Sequence, residues 1–322
     1  MRAAYVTELG STDTIRIGEL PRPSVGASDV LVRPQALAVN YVDTLIRSGR
    51  YPTRTPFPFV IGRDLVGVAA ACGDAVDRFR VGDAVWCNSL GHGGRQGSFA
   101  EYAIVPQDRL YPLPGGADPA EAVALVHPAA TAYLGLFRTA QLRYGQRVVV
   151  SGAGGSVGTA AVQFAAAAGA HVIATARAED ADWCRAAGAE AVFDYNDSEL
   201  WARIAAAAPA GVDVFLETSR HYAFERTLPL LAHDGRFVAI TGMGATVPLP
   251  LDQLYLRDAS LRGFVISNAS VGDLAEAAHA INDGISRRLL RVRIGARLSL
   301  EESAQAHRLM EKGTRGRIVV LP

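Results

Sequence analysis

Short apolar segments, separated by glycine and proline, fill the first third of the chain. Four of them have the length and composition of β-strands: Val30–Arg33, Asp64–Ala69, Asp83–Trp86 and Tyr102–Pro106. Strands that follow one another at such short intervals predict an all-β, barrel-like domain over about residues 1–115. A helix is then predicted from Asp118, which supplies an N-cap and is followed by proline.

Strands and helices alternate from Arg147 onward. Five apolar strands are predicted here: Val148–Val150, His171–Thr175, Ala191–Tyr195, Val212–Leu216 and Arg236–Ile240. Alternation at this spacing predicts βαβ units and a doubly wound parallel sheet. The chain closes with two amphipathic helices and a strand: Asp273–Ile285, Glu301–Lys312 and Arg317–Leu321.

Residues 148–176 contain no Asp, Glu, Lys or Arg, and their length would permit a membrane span. The segment nevertheless contains several glycines and polar residues such as Gln163, and it divides into a strand, a turn, a helix and a strand. A parallel sheet covered on both faces buries such apolar runs. We therefore expect a chain without a membrane span.

Composition narrows the classes of function. The 322 residues include 32 Lys and Arg against 32 Asp and Glu, so the formal net charge is zero and no basic excess favours nucleic acid as a partner. The three cysteines, Cys72, Cys87 and Cys184, are too few and too scattered for a disulfide framework. The N-terminus lacks the apolar core of a signal peptide. These features predict a cytoplasmic protein.

A glycine-rich turn lies between the first strand of the alternating region and the helix that follows it. Its sequence is Gly152-Ala-Gly-Gly155-Ser156-Val157-Gly158. Glycines there permit a tight turn and a close approach of the backbone to a diphosphate, and the helix N-terminus offers N–H groups to the phosphates. A structural turn of another α/β protein is the alternative. The strand–turn–helix context favours a dinucleotide site.

The end of the next strand discriminates between the two nicotinamide dinucleotides. An NAD site usually has an acidic residue there, whereas an NADP site offers a cation. Here Thr175 and Ala176 are followed by Arg177, whose guanidinium can bind the 2′-phosphate. Glu179 and Asp180 lie close behind and are interpreted as acids in the first turn of a helix. The sequence predicts NADPH as the cofactor.

Ordered motifs along the whole chain resemble the quinone oxidoreductases, including the zeta-crystallin group, of the medium-chain dehydrogenase/reductase superfamily. Besides the glycine turn, the matching segments are Asn40–Pro52, Gly62–Val68, Val81–Val85, Gly97–Tyr102, Thr131–Tyr133, Asp194–Tyr195 and Ser260–Phe264. The resemblance implies an α/β protein. It would have a GroES-like, β-rich catalytic domain over 1–123 and 267–322, and a Rossmann NADP(H)-binding domain over 124–266. It also implies a homodimer and an active site between the domains.

The resemblance also argues against a metal. Zinc-dependent relatives bind catalytic zinc with a Cys, a His that precedes Glu, and a second Cys. This chain has Asn40 near the first of these positions and Arg63-Asp64 where His-Glu would stand. Cys87 has no neighbouring cysteines, and His92 is interpreted as a solvated loop residue. We expect no zinc.

Without a metal to polarise a carbonyl group, hydride is expected to pass to an electron-poor acceptor such as a quinone or an enone. Tyr51 resembles the tyrosine that donates a proton in enoyl-thioester reductases of the superfamily, although packing beside Pro52 is an equal alternative. Asn40 is similar to an asparagine near the nicotinamide. Asp43 is the third candidate for the catalytic site, or it holds Arg47 or Arg63.

The resemblance implies further cofactor contacts outside the glycine turn and Arg177: Thr131, Thr175, Tyr195, Ser219, Gly242, Phe264 and Lys312. Helix-interior packing is the alternative for Thr131, and a solvated helix end is the alternative for Lys312. The chain also departs from the family pattern at Leu45, at Ala181, at Thr218–His221 in place of a Val-Gly-Gly type of turn, and at His127. These departures leave the natural acceptor open.

The leading hypothesis is an NADPH-dependent reductase of quinones or other conjugated carbonyls. An enoyl or enone reductase of a biosynthetic pathway is the second. A non-catalytic NADPH-binding protein, crystallin-like or RNA-binding, is a hypothesis of another class, and the neutral charge disfavours RNA.

Overall fold

A computed structural model describes residues 1–322. The sixteen strands are β1 (Arg2–Val6), β2 (Arg16–Glu19), β3 (Asp29–Val39), β4 (Phe59–Val60), β5 (Asp64–Cys72), β6 (Ala84–Cys87), β7 (Ala103–Pro106), β8 (Tyr111–Pro112), β9 (Arg147–Ser151), β10 (His171–Ala176), β11 (Ala191–Asp194), β12 (Val212–Glu217), β13 (Leu231–Ala239), β14 (Ser260–Gly263), β15 (Ile294–Ser299) and β16 (Arg317–Leu321).

The α-helices are α1 (Tyr41–Arg47), α2 (Pro119–Tyr133), α3 (Ser156–Ala167), α4 (Ala181–Ala186), α5 (Leu200–Ala207), α6 (Phe224–Thr227), α7 (Leu251–Tyr255), α8 (Val271–Ser286) and α9 (Ser303–Lys312). A π-helical segment, Leu134–Thr139, continues α2.

The chain divides into two compact units. The first comprises residues 1–127, 270–288 and 292–322, and the second comprises residues 128–269 and 289–291. The sequence-based limits at residues 123 and 267 lie near the divisions that the structure shows after residues 127 and 269. The division after residue 127 falls within α2. The predicted α/β fold class is confirmed.

The first unit contains a three-stranded antiparallel sheet, β2-β1-β4, and a seven-stranded sheet in the order β15-β16-β3-β5-β6-β8, with β7 also paired to β3. β3 is much longer than predicted because the prediction stopped at Arg33, before Pro34. Proline cannot donate to a neighbouring strand. The strand continues through it because the pairing with β5 shifts register between Pro34 and Ala36. β3 thus organises this unit, since β5, β7 and β16 all pair with it.

The second unit is built on a six-stranded sheet in the order β11-β10-β9-β12-β13-β14, with every pair parallel. The uncharged segment 148–176 supplies β9, α3 and β10, and Val148, Val149 and Val150 are fully buried. Successive strands run outward from β9 in one direction and from β12 in the other. The strand order therefore reverses between β9 and β12, which is where doubly wound sheets bind ligands.

One helical stretch, Pro119–Thr139, is long and apolar enough to cross a membrane by length and composition alone. It is not the segment that the sequence pattern had singled out, which folds into two strands and a shorter helix. In the apolar window of this stretch, 78% is buried inside the protein. A helix in the core of a protein can be as long and as apolar as a membrane span, and the burial of this one identifies it as a core helix.

Candidate nucleotide and catalytic sites

The glycine-rich turn connects β9 to α3. Gly152 has a φ of +75°, and a Cβ atom there would lie 2.8 Å from Thr218 Oγ1. A Cβ atom at Gly158 would overlap the carbonyl oxygen of Gly152. Gly155 is the N-cap of α3, so the N–H groups that open the helix, beginning at Ser156 and Val157, face the turn. Only glycine fits the two crowded positions, and the result is a backbone cradle for a diphosphate.

The end of β12 lies beside this turn. The Thr218 hydroxyl donates to the Ser151 carbonyl at 2.6 Å, and the hydroxyl oxygens of Ser151 and Ser219 are 3.3 Å apart. The buried carboxylate of Glu217 accepts from the Ser219 hydroxyl at 2.6 Å. Burial raises the pKa of Glu217, while hydrogen bonds from Ser219 and Ser151 oppose that shift. The two strands that flank the order reversal are therefore joined at their carboxyl ends.

Arg177 and Tyr195 follow the carboxyl ends of the next two strands, β10 and β11. Arg177 Nε donates to the Tyr195 hydroxyl oxygen at 2.9 Å, and an Arg177 guanidinium nitrogen lies 3.7 Å from the carboxylate of Glu179. The side chains of Arg177 and Tyr195 are both exposed to solvent at this edge of the sheet. Thr175, by contrast, is buried, and its carbonyl accepts from the Ala153 N–H at 2.9 Å. The structure thus pairs the predicted cation with the predicted tyrosine.

The remaining predicted cofactor residues fall into two groups. Gly242, with a φ of +92°, follows β13, and Phe264 directly follows β14 with Arg138 5.9 Å from its ring. Six predicted contacts therefore lie beyond the carboxyl ends of the six parallel strands: Gly152, Arg177, Tyr195, Ser219, Gly242 and Phe264. Thr131 lies buried within α2, and Lys312 ends α9 in the first unit.

Asn40 forms the centre of a buried polar cluster in the first unit. Its side-chain amide donates to Asp64 Oδ2 at 2.8 Å, and its Oδ1 accepts from Arg317 at 2.8 Å. Arg317 also lies 3.6 Å from Asp64 Oδ2, and His127 Nδ1 lies 3.3 Å from Asp64 Oδ1. Both polar ends of the Asn40 side chain are therefore engaged inside the protein.

Asp43 has a structural role at the start of α1. Its carboxylate accepts from the Asn40 backbone N–H at 2.8 Å. Burial and the neighbouring Asp64 raise the pKa of Asp43 to about 7, although Arg63 and Arg317 oppose the shift. Of the two arginines weighed as its partner, Arg63 is the one whose charge acts on it. Arg47 instead forms an ion pair with Glu311, because α1 packs against α9.

Tyr51 is half-buried, and its ring meets the ring of His92 edge to face with 5.9 Å between centroids. The buried guanidinium of Arg63 lies within electrostatic range of both Tyr51 and His92. His92 lies in a loop, as predicted, but it is only partly exposed to solvent because its ring packs against Tyr51. Burial and the charges of Arg63, Arg95 and Arg109 lower the pKa of His92 to about 4, so its imidazole is neutral at physiological pH.

Sequence reasoning missed part of the cluster around Asn40. His127 was noted only as a departure from the family pattern, Arg317 only as part of a strand, and Asp64 only as the start of a strand and as a replacement for a zinc ligand. Residues 40, 64 and 317 are far apart in the chain and meet because β5 and β16 both pair with β3, while His127 comes to them from α2. The sequence did contain one indication of this cluster. Asp64 and Arg317 are charged residues that each begin a strand that is otherwise apolar, which predicts a buried charge with a partner.

The donor groups of the protein do not suit zinc. No group of three or more His, Cys, Asp or Glu side chains is arranged to hold a metal ion. Cys87 is buried against Ser89, and its burial raises the pKa of the thiol. Two buried guanidinium groups, those of Arg63 and Arg317, stand beside Asp43 and Asp64 instead. These cations already compensate the carboxylates.

Comparison with known proteins gives consistent matches. The family described as alcohol dehydrogenase GroES-like domain matches residues 26–115, and the family described as zinc-binding dehydrogenase matches residues 156–283. The mouse quinone oxidoreductase is 32% identical over 328 residues, which cover 100% of this chain and 98% of the mouse protein. The human quinone oxidoreductase is 30% identical, again with 100% of this chain and 98% of the relative covered.

Solved structures agree over the full length. A mycobacterial quinone oxidoreductase superposes with a TM-score of 0.88 at 28% identity, and an NAD-dependent alcohol dehydrogenase superposes with a TM-score of 0.89 at 30% identity. A mycobacterial protein complexed with NADPH gives a TM-score of 0.85 at 28% identity. Each of these matches covers 100% of both chains.

The fold and the nucleotide edge define an oxidoreductase of the medium-chain dehydrogenase/reductase superfamily. Within that superfamily, the chain belongs to the quinone oxidoreductase family. The resemblance inferred from the sequence motifs is thus confirmed.

Proposed function

We propose that the protein is an NADPH-dependent reductase that transfers hydride to a quinone or another conjugated carbonyl without the help of zinc. The observation that carries this proposal is the full-length likeness to quinone oxidoreductases, in a chain that places Arg63 and Asp64 where zinc-dependent relatives have ligands. The donor set of this region, with two buried guanidinium groups, suits a charge-compensated polar cluster rather than a divalent metal.

The proposed cofactor site is the carboxyl edge of the parallel sheet in the second unit. The turn at Gly152–Gly158 and the N-terminus of α3 would hold the diphosphate. Arg177, positioned by the Tyr195 hydroxyl, would bind the 2′-phosphate. NADPH bound in this way supplies the hydride. A solved neighbour that was complexed with NADPH supports this assignment. Another neighbour is described as NAD-dependent, and the cation at Arg177 favours NADPH for this chain.

In the first unit, we assign Tyr51 as the group that meets the acceptor or provides its proton. Its hydroxyl would give a proton to the acceptor and recover one from solvent. Asn40 and Asp43, which the sequence suggested as catalytic, are assigned positioning roles. Asn40 joins Asp64 to Arg317, and Asp43 fixes the backbone of Asn40 at the start of α1.

Stopped-flow oxidation of NADPH with a panel of quinones and enones tests the proposed function. Turnover of quinones supports the leading assignment, while selective turnover of enones or enoyl thioesters would favour the double-bond reductase. Binding of NADPH without turnover of any conjugated acceptor would instead favour a non-catalytic NADPH-binding protein.

We further propose a cytoplasmic homodimer. None of the three cysteines forms a disulfide, as is usual in a reducing compartment. β14 is an edge strand of the parallel sheet, and exposed apolar side chains lie on it, on helix α7 and at the residue that follows α7: Leu261, Leu251, Tyr255 and Leu256. An open edge with apolar neighbours suits pairing with a second copy. Sedimentation of the wild type and of Leu261→Lys tests this proposal, because a monomeric wild type would contradict it.

A further inference from the structure

Arg220 has an unusual backbone conformation. It lies in the turn after β12 with a φ of +72°, in the left-handed region. A residue with a Cβ atom is strained there, and glycine would adopt the same conformation at little cost. Residues held in such conformations cluster at ligand sites, where the position of the side chain outweighs the strain. Arg220 is exposed, so core packing does not account for the strained conformation.

The turn that contains Arg220 lies beside the glycine-rich turn. Thr218, two residues earlier, donates to the Ser151 carbonyl, and a Cβ atom at Gly152 would lie 3.1 Å from Ser219 Cβ. The strand order reverses between the two strands that these turns follow. Arg177 and Tyr195 lie on the opposite side of the glycine turn, beyond β10 and β11. Arg220 is thus on the β12 side, away from the proposed 2′-phosphate contact.

Charge at this edge supports a role for a cation. Gly152–Gly155 contains no charged side chain, and the buried carboxylate of Glu217 lies directly below the β12 turn. A diphosphate placed over the glycine turn would add negative charge next to that carboxylate. Backbone N–H groups and the N-terminus of α3 compensate part of this charge, and a cation on the β12 side would compensate more of it.

We propose that Arg220 binds the diphosphate of the dinucleotide, at the end that leads to the nicotinamide. This inference rests on the proposed cofactor site and adds a residue to it. Because NADPH and NADH share the diphosphate, Arg220 would contribute equally to both, whereas Arg177 would act on NADPH alone.

The test combines binding and stability measurements on Arg220→Gly. Titrations of protein fluorescence with NADPH and with NADH are expected to show about 10-fold weaker binding of both, the scale of one charged hydrogen bond. The Tm is expected to stay the same or to rise, because glycine removes the strain at this position. Arg220→Lys keeps the charge and should recover part of the affinity.

The chain offers a matched control. Arg288 is also exposed and left-handed, with a φ of +57°, but it follows α8 in the first unit. Arg288→Gly should leave the affinity for both cofactors unchanged. Arg220→Gly binding within about 2-fold of wild type, a loss confined to NADPH, or a lower Tm would each overturn the inference. A wild type that binds neither dinucleotide would overturn the proposed function itself, and with it this inference.

Discussion

Replacement of Arg177 by Ala is expected to weaken NADPH binding and to spare NADH binding. The guanidinium stands at the end of β10, held by the Tyr195 hydroxyl at 2.9 Å, and the only carboxylate paired with it is that of Glu179 at 3.7 Å. A 2′-phosphate would be a closer and more highly charged partner than this carboxylate. NADH has only a hydroxyl group at that position.

The magnitude follows from the exposure of the side chain. Charged hydrogen bonds contribute about 1.5–3 kcal/mol when they are shielded from water. The Arg177 side chain is 61% exposed, and solvent screens its interaction. We therefore expect a loss of about 1–2 kcal/mol, which corresponds to a Kd for NADPH that is about 5- to 30-fold higher.

The assay is a titration of both cofactors against the wild type and three variants. Tyr195→Phe removes the oxygen that orients Arg177 and should give a smaller loss, again for NADPH only. Arg185→Ala removes another exposed arginine, paired with Asp182 on α4, and should leave both Kd values unchanged. Equal losses for NADPH and NADH in Arg177→Ala would refute the assignment of Arg177 to the 2′-phosphate.

Three other predictions concern the first unit. Metal analysis of dialysed protein should find far less than one zinc per chain, because no suitable donor group is present; one zinc per chain that is needed for turnover would contradict the proposed chemistry. Tyr51→Phe should lower kcat about 100-fold for enones and less for quinones, since solvent can protonate a hydroquinone anion, and unchanged rates for both acceptors would make Tyr51 a packing residue. His307 is buried with a pKa lowered to about 3, so only the unfolded chain takes up its proton as the pH falls below about 6.5. This residue should therefore make the free energy of unfolding, measured with denaturant, about 2 kcal/mol lower at pH 5 than at pH 7. His307→Leu should lose that part of the pH dependence. The same pH dependence in wild type and variant would show that the pKa of His307 is not lowered by folding.

The nucleotide edge was predictable because its signals are local. The glycine turn, the strand before it and the helix after it are contiguous in sequence, and Arg177 directly follows the next strand. The hydrogen bond between Arg177 and Tyr195 was not predicted, because it depends on the pairing of β10 with β11. The left-handed conformation of Arg220 could not be predicted from the sequence, since an arginine side chain does not favour a positive φ.

Predicted boundaries of strands were wrong where pairing with a neighbouring strand outweighs the local sequence preference. The sequence pattern placed the start of β13 at Arg236, after a glycine turn. The strand begins at Leu231, because it is paired with β12 at Leu231 and again at Arg236. Asp234 takes up a φ of +59° within this interval. A sequence pattern reads such residues as the end of a strand, whereas a neighbouring strand can hold them inside one.

The cluster around Asn40 shows why the polar interior of the first unit was harder to predict than the nucleotide edge. Its carboxylates, Asp43 and Asp64, are both buried, and isolated buried charges of one sign would strongly destabilise the fold. Arg63 and Arg317 favour the ionised forms of these carboxyl groups, while burial and Asp64 still raise the pKa of Asp43 to about 7. The charge of each group in the cluster therefore depends on the others. Considered singly in the sequence, Arg63 looks like a lost zinc ligand and Arg317 like an ordinary strand residue. Their role becomes evident only when β5 and β16 bring them to Asn40, which makes this site a property of the sheet rather than of any motif.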